Sequence, residues 1–440
     1  MNRHIRWVRT EIARWETDGL VTPEQGRLLR QRYPEPADTA SWGTIVFASA
    51  GAVVVGLGVI LLFAYNWDAI PKFAKLGLVF ASLVAAHVVG LRWSGRDDWR
   101  RNAGATVSLL GTMLFGAGIW LIAQIYHIDE HYPNGFLLWA LGAGVMAWAL
   151  GSVLQAMLAA VLLAIWGGCD VLDFHTGNAW ALLLVAVGIG PLAWRRQSAV
   201  LLGVVLGTVQ FLMLANVGAF GTGADMMTTS LAWGAGLIAM ARLMAGGWLG
   251  FGGGAGVASA FGYTTVVGCA YVMSFRPGWN YARDVERALG AEQIIAWVAS
   301  WTVFALAAVT WGVVAVRAAT RKLEPLSWTE WLVPVMLAYC YVLVWGRLAV
   351  FAEIGPHSFS LLLMGIAAGW MWRGCREGLL RPTVLGSLLL AAVVLARYAD
   401  LFHSLATRGL AFLLLGGALM AEGIYFRRRR AALAVVEKAP

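Results

Sequence analysis

Residues 136–166 read FLLWALGAGVMAWALGSVLQAMLAAVLLAIW, with no charged side chain and only Ser152 and Gln155 as polar interruptions. A membrane-spanning helix needs roughly 20 apolar residues. The run is therefore too long for one ordinary span and short for two. A tight turn at Gly151-Ser152, giving two spans, is the preferred reading over one tilted helix.

The chain around it follows the same pattern. Of its 440 residues, 60% are hydrophobic and 13% charged, against about 25% charged in soluble domains. There are 52 Gly and 23 Trp. Glycine lets membrane helices approach closely, and tryptophan gathers at membrane interfaces. From Thr44 onward, apolar segments alternate with short polar breaks. The spans are expected at 44–65, 73–91, 105–125, 136–150, 153–166, 179–194, 199–217, 229–243, 257–275, 294–316, 332–350, 359–372, 384–396 and 410–426. The fold class is thus all-α, a polytopic transmembrane helical bundle of about fourteen spans, with twelve as the alternative. Three parts are expected: a cytoplasmic helical hairpin and linker over 1–42, the bundle over 43–426, and a basic cytoplasmic tail over 427–440.

In the first part, Ile5, Val8, Ile12 and Trp15 share one helical face, and Gly19 can terminate that helix. In TPEQ, Thr22 suits an N-cap, Pro23 the first turn and Gln25 the reciprocal position of a capping box. Pro34 and Pro36 stop the second helix. Helices this short are marginal alone. With no apolar core near Met1, the first span is expected to act as its own insertion signal. The four cysteines, Cys169, Cys269, Cys340 and Cys375, are far apart and form no ligand pair.

Charge tests the topology. With the N-terminus in the cytoplasm and spans alternating, 25 of the 33 Lys and Arg fall inside. That is the asymmetry expected of cytoplasmic loops. Both termini are then cytoplasmic, and the net charge of +9 is explained by topology. No basic patch is left over for nucleic acid.

Under this topology polar residues gather where helices reach the outer face: YNWD at 65–68, AQIYHIDEH at 123–131, GGCDVLDFH at 167–175 and ARYADLFH at 396–403. A carboxylate at a helix C-terminus opposes the helix dipole, so these acids need water, a cation or an arginine. The candidate binding layer is Asn66, Trp67, Asp68, Gln124, Tyr126, His127, Arg397, Tyr398 and Asp400. Trp67 and Tyr126 equally suit an aromatic belt. Asp68 or Asp400 is expected to be neutralised by Arg397, which can offer a carboxylate two hydrogen bonds.

Other motifs carry less. His127, Asp129 and His131 offer a weak metal face, but Pro133 follows and the pattern is not HExxH. No metal and no cofactor is expected. GFGGGAG at 250–256 imitates a dinucleotide fingerprint, yet its flanks are spans rather than a strand and an amphipathic helix. His87, Gln155, Gln210 and Glu422, within spans, read as interhelical partners or snorkelling ends. Ala48, Ala52 and Gly56 read as a packing stripe.

Several of these stretches are familiar together. GLVTPEQ at 19–25, AYNWDAIPKFAKL at 64–76, LIAQIYHI at 121–128 and the ending RYADLFHSLATRGLAFLLLGGALM at 397–420 resemble a bacterial integral-membrane family labelled domain of unknown function 2157. The resemblance implies a multi-pass protein of the bacterial cytoplasmic (inner) membrane. It brings no activity, and it points to the same outer face.

Three functions fit the residues. Few interior charges suit a transporter or flippase handling a hydrophobic or lipid-linked substrate, and the likeness of GVILLFAYNWD to GIWLIAQIYHID hints at a transporter's internal repeat. A sensor or assembly partner would dock a cytoplasmic protein on the tail or an extracytoplasmic one on the outer layer. A membrane enzyme acting on a lipid-linked substrate is the third. The first outer loop, only a few residues long, counts against an integral glycosyltransferase. A cavity reaching the midplane favours transport, and a closed bundle favours docking.

Overall fold

The computed structural model describes residues 2–33, 71–95, 99–128, 131–283, 291–345 and 354–401, and the single positions 413, 416, 417, 420, 421 and 425. Among the described residues there are helices and no strand. The chain divides into two compact units, Met1–Gly77 and Leu78–Pro440. The packing stripe expected at Ala48, Ala52 and Gly56 and the Glu422 expected within a span lie outside the described residues.

In the first unit, α1 (Asn2–Thr17) and α2 (Pro23–Arg32) are joined by a turn at Gly19, whose φ of 72° is open to glycine at little cost. The Leu20 amide bonds back to the Trp15 carbonyl at 2.9 Å, closing α1. The capping box forms: Gln25 N–H donates to the Thr22 hydroxyl and Thr22 N–H to the Gln25 side chain. The helices meet through polar groups as well as the buried Ile12. Arg30 pairs with Glu16 at 2.5 Å, and Arg9 donates to the Tyr33 carbonyl at 2.9 Å.

The second unit is a helical bundle. It comprises α3 (Lys72–Ser94, begun in the first unit), α4 (Trp99–Tyr126), α5 (Pro133–Leu150) and α6 (Val153–Leu172). Then come α7 (Ala179–Arg195), α8 (Ala199–Phe220), α9 (Gly223–Ala245), α10 (Ala255–Met273) and the short α11 (Arg276–Arg283). It ends with α12 (Ala291–Ala319), α13 (Trp328–Trp345), α14 (Gly355–Glu377) and α15 (Leu380–Leu401). Eight of the described helices are long and apolar enough to cross a membrane, and Ala179–Arg195 and Leu380–Leu395 are shorter apolar helices.

The run 136–166 forms two helices. Gly151 sits in the left-handed region at φ 57° and its N–H returns to the Ala147 carbonyl. Ser152 then caps α6. The facing surfaces are small: Ala140, Ala143 and Ala147 on α5, and Ala156, Ala159 and Ala160 on α6, are all buried. Small residues let the two backbones approach, which is how helices associate without a hydrophobic drive in lipid.

α7 is irregular for a readable reason. Pro191 has no N–H and its ring crowds the carbonyl one turn back, and the preceding Leu184–Ile189 segment widens into a π-helix. The Trp148 indole of α5 donates to the Gly188 carbonyl at 2.7 Å, giving a partner to backbone that the widened turn disturbs.

α9 lies at the centre. Leu237, Ala241 and Met244 join a core formed with α5 to α8, while Leu231, Ala235 and Ile238 join a second core formed with α10 and α12 to α15. It meets α10 at glycines. A β-carbon on Gly262 would stand 2.8 Å from the Gly234 carbonyl oxygen and 2.9 Å from the Ile238 nitrogen.

A buried hydroxyl chain ties three helices. Thr228 of α9 reaches Ser300 of α12 at 2.9 Å, and Ser300 reaches Tyr341 of α13 at 3.1 Å. Interhelical hydrogen bonds in membranes are worth on average about 0.6 kcal/mol and at most about 1.7. Ser300→Ala is therefore expected to lower thermal stability by less than about 2 kcal/mol, read as a small shift in the melting curve of detergent-solubilised protein. Elsewhere, Gln210 accepts from Thr265 at 3.2 Å across α8 and α10. Among the described residues, the fully buried Gln155 side-chain amide has no hydrogen-bond partner, and neither does His87 Nδ1.

Candidate functional site

Of the nine residues expected in the outer layer, Asn66, Trp67 and Asp68 lie outside the described residues. Arg397, Tyr398 and Asp400 fall on the closing turns of α15. Gln124, Tyr126 and His127 are at the end of α4 and exposed. His127 has a structural role: at φ 50° it takes the left-handed position that closes the helix, with the Ile128 amide bonded to the Ala123 carbonyl at 2.9 Å. In the weak metal trio, Asp129 lies outside the described residues, and His127 and His131 are both outside helix. No group of three or more metal-ligating side chains occurs among the described residues.

His131 is built into a polar cluster instead. Its Nε2 lies 2.7 Å from Asp170 Oδ1. Asp170 sits on the last turn of α6, largely buried, and its other oxygen accepts from the Asn178 amide at 2.6 Å. The Asp170 backbone carbonyl receives both the amide and the hydroxyl of Thr176. Asn178 caps α7 by accepting from the Ala181 N–H, and its own N–H donates to Asn216 on α8 at 2.8 Å. The Phe174 ring covers the His131 ring at a centroid distance of 4.3 Å. Beside it the Tyr132 hydroxyl donates to Asp173. That hydrogen bond, first among the causes, raises the Tyr132 phenol above its ordinary value, so it stays a donor throughout the neutral range.

The chemistry follows from the partners. A carboxylate at a helix C-terminus is disfavoured by the dipole, and here an imidazole and an amide offset that cost. The carboxylate in turn fixes the imidazole's orientation. Asp170→Asn leaves one neighbour without its acceptor and is expected to cost about 1–3 kcal/mol, seen as a lower melting temperature in detergent. Melting unchanged from wild type would place the cluster in solvated loops.

The stretches that supply His131 and Asp170 are both visible in the sequence as outer-face polar ends. What linear reading missed was which members pair. Asn178 and Asn216 carry no spacing signal, because they meet only through the packing of α7 on α8. An N-cap asparagine opening an apolar helix was the available cue.

Apolar helices of spanning length, packed through small residues and ending in polar clusters, define a polytopic helical membrane protein. Residues 13–156 match the family described as predicted membrane protein (DUF2157). That segment contains three of the four stretches that carry the resemblance and stops just inside α6. No curated protein and no solved structure matches the chain.

Proposed function

We propose that the protein handles a hydrophobic or lipid-linked substrate inside the bilayer, as a transporter or flippase does, with the predicted outer polar layer as its recognition face. The observation that carries this reading is a groove of about 1010 Å3 between α7, α8, α9 and α12. Its walls are apolar, including Leu206, Met240 and Leu306. Leu306 is 64% exposed, so the groove opens sideways. At one end it stops a turn short of the polar cluster: Leu182 and Met213 line it, while Asn178 and Asn216 follow one turn away on the same helices. At the other end it reaches Trp194 and Trp248. An apolar groove with polar groups at its mouth suits a chain with a polar head.

Asp170, Asn178 and His131 join Asn66, Trp67, Asp68, Gln124, Tyr126, His127, Arg397, Tyr398 and Asp400 as the proposed recognition layer. The test is reconstitution into vesicles carrying a fluorescently headgroup-labelled lipid, with a membrane-impermeant quencher added outside. Quenching beyond the outer-leaflet fraction is expected. Quenching identical to protein-free vesicles would leave a sensor or assembly role as the better reading.

The proposal includes a location, the bacterial inner membrane with both termini cytoplasmic, which rests on the charge asymmetry. Alkaline phosphatase fused after Asn134 should be active, and fused after Lys438 inactive. The reverse pattern would invert the faces.

A further inference from the structure

We infer that the predicted inner end of the groove is a headgroup site for an anionic phospholipid, with Arg317, Arg321 and Lys322 facing the phosphate and an acyl chain lying along the groove. This deepens the reading above and rests on its groove.

A second cavity, of about 860 Å3, lies at this end, lined by residues that include Arg242, Gly246, Ala318, Arg321, Lys322 and Glu324. The two cavities draw on neighbouring stretches of the same helices. Leu243, Trp248 and Leu249 line the groove, and Arg242, Ala245 and Gly246 line the second cavity. On α12, Leu306 and Thr310 line the groove and Ala318 the second cavity. Arg317 marks the junction. Its guanidinium lies over the ring of the groove residue Trp248, 5.0 Å from the centroid, and its buried Nε has no hydrogen-bond partner among the described residues.

The charges there are unevenly used. Arg242 is engaged: its Nε lies 3.1 Å from a Glu330 carboxylate oxygen as an ion pair without hydrogen-bond geometry, and its Nη2 donates to the Glu324 carbonyl at 3.0 Å. Glu330 is fixed in turn by the Ser327 amide and hydroxyl. The chain closing α12 then turns back, with Lys322 N–H on the Arg317 carbonyl at 2.8 Å and Arg321 in the left-handed region at φ 56°. That turn brings Arg321 and Lys322 into the cavity lining. The cavity lining holds Arg242, Arg321 and Lys322 against the single carboxylate Glu324, and the carboxylate of Glu330 is taken by Arg242, so the site carries an excess of positive charge.

Positive-inside topology accounts for cations at this end. It does not require a guanidinium with a buried, unpaired nitrogen at the foot of an apolar groove. Basic pockets between membrane helices on the cytoplasmic side are where anionic headgroups bind. The sideways opening lets the chain enter from the bilayer.

The test uses the full chain in nanodiscs of phosphatidylcholine with or without phosphatidylglycerol, then native mass spectrometry after release into detergent. Wild type is expected to retain phosphatidylglycerol. The variant R317Q/R321Q/K322Q should lose at least about tenfold of it while still retaining phosphatidylcholine. R321Q/K322Q, which spares the Trp248 contact, should show the same direction. Inorganic phosphate should give no thermal shift at concentrations where phosphatidylglycerol does. Unchanged phosphatidylglycerol retention in the charge variants would overturn the headgroup site and leave the groove reading standing. Stabilisation by inorganic phosphate alone would also overturn it, in favour of a soluble anion. Retention of neither lipid by wild type would overturn both.

Discussion

Replacing Gly262 with leucine is expected to dismantle the centre of the bundle. The α9–α10 crossing brings the Gly262 Cα against backbone, with the Gly234 carbonyl oxygen 2.8 Å from where a β-carbon would sit. Backbone cannot turn aside as a flexible side chain can. Overpacking a core typically costs about 1–3 kcal/mol, and a clash with a neighbouring helix's backbone belongs at or above the top of that range. α9 belongs to both apolar cores, so displacing it loosens each. The expected result is a chain that inserts into membranes but elutes as aggregate after detergent extraction. Gly262→Ala is the graded control, with a smaller loss. A monodisperse Gly262→Leu peak melting like wild type would mean that α9 and α10 are not in this close contact.

The second large effect falls two residues from the other half of that contact. Gly236→Phe is expected to leave the bundle folded and to close the groove. A β-carbon there would meet only Ala307, at 3.6 Å, an ordinary contact, and Gly236 lines the groove. The ring therefore extends into space that a lipid chain would fill. Lipid retention and any quenching of labelled vesicles should both fall several-fold, while the melting temperature in detergent changes little. Gly236→Ala should behave as wild type. The opposite responses at Gly262 and Gly236 separate the two uses of glycine in this protein: close helix approach, and space along a groove.

Much of the architecture was legible. The break at Gly151-Ser152, the capping box of Thr22 and Gln25 and the helix stop at Gly19 follow from local chemistry, which acts over a few residues and leaves a linear trace. The cluster of His131 and Asp170 was half legible. HIDEH and GGCDVLDFH were recognisable as polar helix ends, but the pairing of His131 with Asp170 depends on how α5 and α6 meet. His127 closes α4 with its backbone, a role the sequence did not announce, because a histidine's backbone preference and its side-chain chemistry are indistinguishable in one sequence. Gln210 found its interhelical partner in Thr265, whereas Gln155 has none among the described residues, and no pattern in the sequence separates them. The groove had no signature. Its lining residues are spread over four helices, each reading simply as an apolar span. The π-turn of Leu184–Ile189 before Pro191 was likewise unread in the sequence.

The most direct test of the groove as a lipid-chain site is photo-crosslinking. Protein in nanodiscs would carry a phospholipid with a diazirine near the end of one acyl chain, and would be irradiated after transfer to detergent and removal of loosely held lipid. The labelled peptides would then be mapped. Labelling is expected to concentrate on the groove residues Leu206, Met240 and Leu306 and to fall at least about fivefold in Gly236→Phe. Equal labelling of exposed surface residues outside the groove, such as Val84 and Val145, with no response to Gly236→Phe, would contradict it.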